Sequence, residues 1–217
     1  MSDYPKRDKK LFVAGKNPRE HAYIGWGDAE IQFYGYALGY KEAADTIIAH
    51  ALEQGDPATL DSMVFPACFL YRQYLELALK GIYLTYAGET NEEKVNAIKK
   101  CGHNLEEIWS KVKDLILTAY PNEDKEVLEA AELYILEFNS EDKTSYTFRY
   151  PVDKNLGLIH ENKNYKIGKF EKDGWFICLK NLAKRMDELC TFLCSVSAGM
   201  SEMRGHESCM SQHFDSV

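Results

Sequence analysis

What most constrains this chain is the return of apolar residues at helical spacing, interrupted by stop signals. In the stretch 56–88, Ala67, Leu70, Tyr71, Tyr74, Leu75, Ala78, Leu79 and Ile82 fall on one wide face. Asp56 suits the cap, Pro57 the first helical position, and Gly88 the end. Pro66 predicts a kink or a restart. A helix from about 28 to 55 precedes it, capped by Asp28 and ended by Gly55. Its stripe is Phe33, Tyr34, Ala37, Ala44, Ile47, Ile48 and Ala51. Gly35 and Gly39, one turn apart, predict a close approach by a neighbouring helix.

Further stripes follow. After a break at Gly102, Asn104 and Glu107 have capping-box spacing, and Leu105, Ile108, Trp109, Val112, Leu115 and Ile116 form the next buried face. Val127, Leu128, Ala131, Tyr134, Ile135 and Phe138 predict a helix over about 124–138. The period then changes from helical to alternating. Tyr146, Phe148 and Tyr150 alternate with Thr147 and Arg149, and "NYKIGKF" from Asn164 alternates similarly, which together predict a small hairpin. A last helix is expected after Asp173, with Phe176, Leu179, Leu182, Ala183, Met186, Leu189, Cys190, Leu193 and Val196 facing inward. Four to five amphipathic helices on short connections bury their stripes best as an antiparallel bundle. The expected fold is therefore all-α, with a β-hairpin insertion at about 144–170 before the last helix. Residues 1–25 form an N-terminal arm, 26–199 a single helical-bundle domain, and 200–217 a flexible C-terminal tail.

Bulk properties narrow the function classes. The chain has 217 residues and a net charge of -8, with pI about 5.3. That sign is opposite to the one expected of a nonspecific DNA binder. Two local segments are basic, "KRDKKLFVAGKNPR" and "KNYKIGKFEK". They read as a solubilising arm and an exposed strand, and leave room only for a limited RNA or nucleotide contact. There is no long apolar run, so no membrane partner is expected, and "MSDYPKRDKK" lacks the apolar core of a secretory signal, which implies a cytoplasmic protein. The cysteines, at Cys68, Cys101, Cys178, Cys190, Cys194 and Cys209, read as reduced thiols. Cys190, Cys194, His206, Cys209 and His213 lack the customary zinc spacing, and a Cys190–Cys194 pair on an apolar stripe reads as buried free thiols. No metal and no cofactor are expected. Gly-rich phosphate loops, serine elbows and paired-carboxylate signatures are absent.

The candidate polar site begins in "FLYRQYLELALKGIYLTY", residues 69–86. Arg72, Glu76 and Lys80 fall within about 80° of helical arc, spaced as i,i+4 ion pairs. As a solvated stripe each pair is worth only about 0.3–0.5 kcal/mol. Phe69 and Tyr83 share the arc, however, which is less typical of a fully solvated face and leaves a half-buried seam with a task as the alternative reading. His103 precedes a capping Asn and either bonds a backbone carbonyl in its turn or places its imidazole beside the stripe. Arg149 alternates away from Phe148, as an exposed strand charge, a phosphate contact, or a partner for Glu76. Arg72, Glu76, Lys80, His103 and Arg149 are the candidate ligand-site residues.

That stretch, followed by "GHNLEEIW" at 102–109 and "FRYP" at 148–151 ahead of the last helix, resembles the HEPN family of small helical domains. The likeness covers roughly residues 28–196. It implies a dimer-forming helical bundle. Many members of that family are metal-independent ribonucleases of toxin–antitoxin and anti-phage systems, and others are silent binding or assembly domains. Active members carry an Arg and, four to six residues on, a His near the start of the last long helix. There Arg stabilises charge on the phosphate and His moves a proton. Here Arg185 is followed five positions later by Cys190, and Arg204–His206 and Arg19–His21 are only two apart. The expectation is therefore a HEPN-like, non-enzymatic binding or assembly protein. It is a homodimer with a protein partner or an RNA or nucleotide ligand, in a defence or stress setting. The alternative is a metal-independent ribonuclease using a nonstandard set such as Arg72, His103 and Arg149. A third reading is an antitoxin-like partner whose acidic surface covers a basic toxin.

Overall fold

The computed structural model describes residues 4–5, 7, 9–121, 125–153, 155–159, 164–167, 170–173 and 176–214. Among them, a 3-10 turn at Pro18–Glu20 precedes α1 (Ala29–Gln54), α2 (Pro57–Tyr86), α3 (Asn91–Cys101), α4 (Leu105–Ala119) and α5 (Lys125–Glu141). β1 (Asn164–Ile167) and β2 (Phe170–Asp173) pair antiparallel, and α6 (Leu179–Phe214) ends the order. The all-α class expected from the periodicity is what the chain adopts.

The helix starts follow from local chemistry. Asp28 and Asp56 each accept a backbone N–H from the third residue on, at 2.9 and 3.0 Å. Gly55 ends α1 in the left-handed region at φ 68°, where a Cβ would be strained. The chain then folds straight back, so α1 and α2 form an antiparallel hairpin: Asp45 meets Tyr71, and Phe33 lies against Gly81. Thr90 and Glu93 complete a capping box on α3 that the sequence reading does not anticipate.

Tyr71, Leu75 and Leu79 of α2, Ile108, Trp109 and Val112 of α4, Ile135 of α5, and Met186 and Leu189 of α6 meet in one core. Trp109 faces Phe192 of α6 at 6.5 Å between ring centres. Ala37, Ala44 and Ala51, with the larger Ile48, are the buried residues through which α1 joins them.

Several expectations need correction. The hairpin pairing 146–150 with 164–170 is not seen. Residues 147–149 are turns, and 164–167 pair instead with 170–173. Asp142 explains the turn, because its Oδ1 accepts the N–H of Tyr146 at 2.6 Å and of Thr147 at 3.0 Å. Phe148 is thereby turned inward against Phe138, while Arg149 is exposed. Pro66 does not restart α2, which is one helix through 57–86. Gly39 has no neighbour where a Cβ would be, and Gly35 accommodates the Trp26 ring rather than a helix. The last helix starts at Leu179 rather than after Asp173, leaving Phe176 outside it and exposed. It also continues through 200–214, the segment assigned to a tail. Arg204 anchors that extension by donating to the Thr85 carbonyl and lying 4.8 Å from the Tyr86 ring centre.

Asn104 does not cap α4 with its side chain; it donates to Glu107 at 2.7 Å. The cap comes from another helix, since buried Asn139 Oδ1 of α5 accepts the Leu105 N–H at 2.9 Å. Removing that acceptor strands a buried donor. Asn139→Ala should therefore cost about 1–3 kcal/mol in urea unfolding, against about 1 kcal/mol or less for the exposed cap in Thr90→Ala. Equal losses would show that the interhelical cap carries no special weight.

Candidate functional site

The charge stripe of α2 is not solvated. Arg72 is fully buried at 0 % exposure and Glu76 is at 5 %. Arg72 Nη1 donates to Glu76 Oε2 at 3.2 Å, Nε donates to the Asp142 carbonyl at 3.1 Å, and Nη2 donates to the His103 carbonyl. Lys80 Nζ donates to Glu76 Oε1 at 2.7 Å and to the Gly102 carbonyl at 2.8 Å. One face of α2 thus grips the α3–α4 turn and the end of α5. Gly102 makes that turn with φ 56° and closes α3.

Burial pushes the Arg72 guanidinium below its ordinary value, and the charges of Glu76 and Asp142 oppose that shift. Burial alone would raise the Glu76 carboxyl. The bonds from Lys80 and His103 and the charge of Arg72 outweigh it, so the carboxyl lies below its ordinary 4.5. Glu76 is therefore the anion that lets two cations leave water together.

His103 differs from the other three. Its side chain is 58 % exposed, while its Nδ1 lies 2.9 and 3.1 Å from the two Glu76 oxygens. An ionised carboxylate can only accept, so Nδ1 carries the hydrogen and, in the neutral ring, Nε2 is the acceptor. Among the described residues Nε2 has no hydrogen-bond partner. A buried acid orienting an exposed imidazole is an arrangement that can move a proton.

Four of the five candidate residues are thus brought together, and the fifth is not. Arg149 does not pair with Glu76. Its guanidinium carbon lies 5.8 Å from the ring centres of Phe69 and Tyr150. Of the two readings of His103, the structure realises the one beside the stripe, with its own carbonyl also used by Arg72. A cleft of about 730 Å³ between α3 and α4 is lined by Tyr83, Glu89, Glu93, Lys100, Glu107 and Lys111 among others, but not by the stripe.

Sequence reasoning missed a second cluster. Lys41, 7 % exposed, donates to Asp45 at 2.7 Å and to Asp187 of α6 at 2.5 Å, and Tyr71 donates to Asp45 at 2.6 Å. Burial would lower the lysine, but the two aspartates more than reverse it, so its value is raised. The signal was available, because Lys41 sits in register with Ala37, Ala44 and Ile48 on the inward stripe. The cysteine pair also needs correction, since Cys190 is half-buried and Cys194 exposed. Among the described residues no three metal-ligating groups converge; the side chains of His206, Cys209 and His213 lie outside them.

The site and fold find no counterpart: no family model, curated protein or solved structure matches the chain. No helix among the described residues is long and apolar enough to cross a membrane.

Replacing Glu76 by Gln leaves Arg72 and Lys80 buried without their counter-charge. The expected loss is roughly 3–5 kcal/mol at neutral pH by chemical denaturation. Because the folded carboxyl lies below its ordinary 4.5, its contribution is complete above that pH and is lost as pH falls through the folded value. The stability gap between wild type and Glu76→Gln should be flat above pH 4.5 and narrow below it. A gap that stays flat into stronger acid would remove Glu76 as the charge centre.

Proposed function

We propose that this chain is a HEPN-like, non-enzymatic binding or assembly protein of the cytoplasm that works as a homodimer, in a bacterial defence or stress system. Fold resemblance alone is an associational argument for function, so the weight falls on physical observations. The one that carries the assembly reading is the N-terminal arm. Leu11, Phe12, Val13, Tyr23 and Ile24 are 68–92 % exposed in the single chain. Five large apolar side chains in one arm, none buried, are costly to leave in water and are what a partner surface covers. The exposed Ile31, Tyr34 and Tyr36 extend this apolar surface along the first turns of α1. A second copy is the occupant proposed here; a different protein, an RNA or a nucleotide is the further ligand such an assembly would hold.

Against a ribonuclease built on Arg72 stands its burial. A guanidinium at 0 % exposure, donating to two carbonyls and a carboxylate, has no face left for a phosphate. The competing reading retains one specific support, the exposed imidazole of His103 oriented by Glu76.

Sedimentation of the full chain at micromolar concentration tests the assembly reading. The expected mass is twice 24.9 kDa, falling to the single value in a Leu11→Asp, Phe12→Asp variant with unchanged helix content. A wild type that stays monomeric overturns it. Incubation with total RNA and EDTA is expected to leave RNA intact. Cleavage that disappears in folded His103→Ala would make the chain a ribonuclease instead.

A further inference from the structure

A second kind of chemistry lies on the opposite side of α2 from the stripe. A cavity of about 520 Å³ opens between α1, α2 and α6, within the size range of small-ligand pockets. Tyr34, Ala37, Tyr74 and Leu193 give it an apolar wall, and Cys190 and Cys194 both line it. Their sulfurs are 3.9 Å apart. Tyr74 is 3 % exposed and its hydroxyl lies beside Cys190.

The spacing selects what the two thiols can take. Residues four apart on a helix hold their Cβ atoms about 5–6 Å apart, whereas a disulfide needs roughly 3.5–4.5 Å. The pair therefore cannot close on itself without deforming α6. A single atom bonded to both sulfurs is different. With bonds of about 2.3 Å, the length of a zinc–thiolate bond, it spans up to about 4.6 Å and bridges 3.9 Å at a bent angle. A zinc ion would then need two more ligands, and no third ligating group converges among the described residues. Trivalent arsenic needs only three bonds, and an organoarsenical brings the third as its own carbon.

We infer that Cys190 and Cys194 form a chelating site for a trivalent organoarsenical, whose apolar substituent lies in the cavity between α1, α2 and α6. The reaction balances without an oxidant. Two thiols and R–As=O give a cyclic (RS)₂As–R and one water; two S–H bonds and the As=O bond are lost, and two As–S bonds form. No proton is released to solvent. That suits a thiol held protonated: partial desolvation first, then the neighbouring Cys190, raise the Cys194 thiol to about 11. The site is independent of the charge stripe, but shares Tyr34 with the apolar surface assigned to the dimer.

Phenylarsine oxide with the reduced full chain is the test, read by native mass spectrometry after a challenge with excess monothiol. The expected result is one adduct, heavier by the reagent less one water, that survives monothiol and is removed by a dithiol. Cys190→Ser and Cys194→Ser should each lower that retention by roughly 10²-fold or more, because the second bond is intramolecular. Cys178→Ser and Cys209→Ser should keep it. Both of the first two variants are conservative, and circular dichroism checks their helix content. If Cys190→Ser does not fold, Cys194→Ser, at an exposed position, decides alone. A wild type with no monothiol-resistant adduct, or one that persists in folded Cys194→Ser, overturns the assignment.

Discussion

A guanidinium with no exposure to water must find partners for its donors inside the protein, and the arrangement around Arg72 follows from that requirement. Its partners are a carboxylate one turn away and two backbone carbonyls from distant parts of the chain. Those carbonyls are not arbitrary. Asp142 follows the last residue of α5, and Gly102 and His103 follow the last residue of α3. Helix C-termini carry unsatisfied carbonyls and negative partial charge. Arg72 and Lys80 thus bring two cations to the ends of two helices that need them, and Glu76 balances the charge between them. The α3–α4 turn and the end of α5 are placed by the same contacts.

The cluster around Lys41 solves a similar problem on the other side of α2. Lys41 belongs to α1, Tyr71 to α2 and Asp187 to α6. Asp187 is 64 % exposed on its side chain, whereas Lys41 is at 9 %, so water screens this cluster from one side. Polar joints therefore flank the apolar core, one sealed and one half-open. Each fixes a helix register that apolar packing alone specifies weakly, since Ala37, Ala44 and Ala51 offer α1 little shape to lock against.

The helices were legible because their signals are local. Stripes such as Leu105–Ile108–Trp109–Val112–Ile116 and caps such as Asp28 and Asp56 depend on residues within a turn of each other. The failures share the opposite cause. Asn139 takes over the cap of α4 from 34 residues away. Asp142 bends 147–149 into a turn by holding two N–H groups, overriding an alternation that reads as a strand. The stripe of Arg72, Glu76 and Lys80 was visible as spacing, but its burial depends on carbonyls that no side-chain pattern reveals. Arg149 is exposed and Phe148 buried, as their alternation predicts, but Arg149 stands in a turn rather than a strand.

Separating what holds the fold from what faces water changes how the charged residues should be read. Spacing alone makes Arg72 and Lys80 look like ligand groups, yet all the interactions they make are internal, and a phosphate could engage Arg72 only by displacing carbonyls that position α3 and α5. Such a ligand would have to bind more tightly than the fold contacts it breaks. The imidazole of His103 is under no such constraint. It shares Glu76 with the cations but projects into solvent, so its outer edge can bind while the inner contacts stay intact. The exposed Leu11 and Phe12 side chains of the arm and the exposed Cys194 of α6 are under no such constraint either. A group that the fold orients but does not consume is one that can meet a ligand without unmaking the fold.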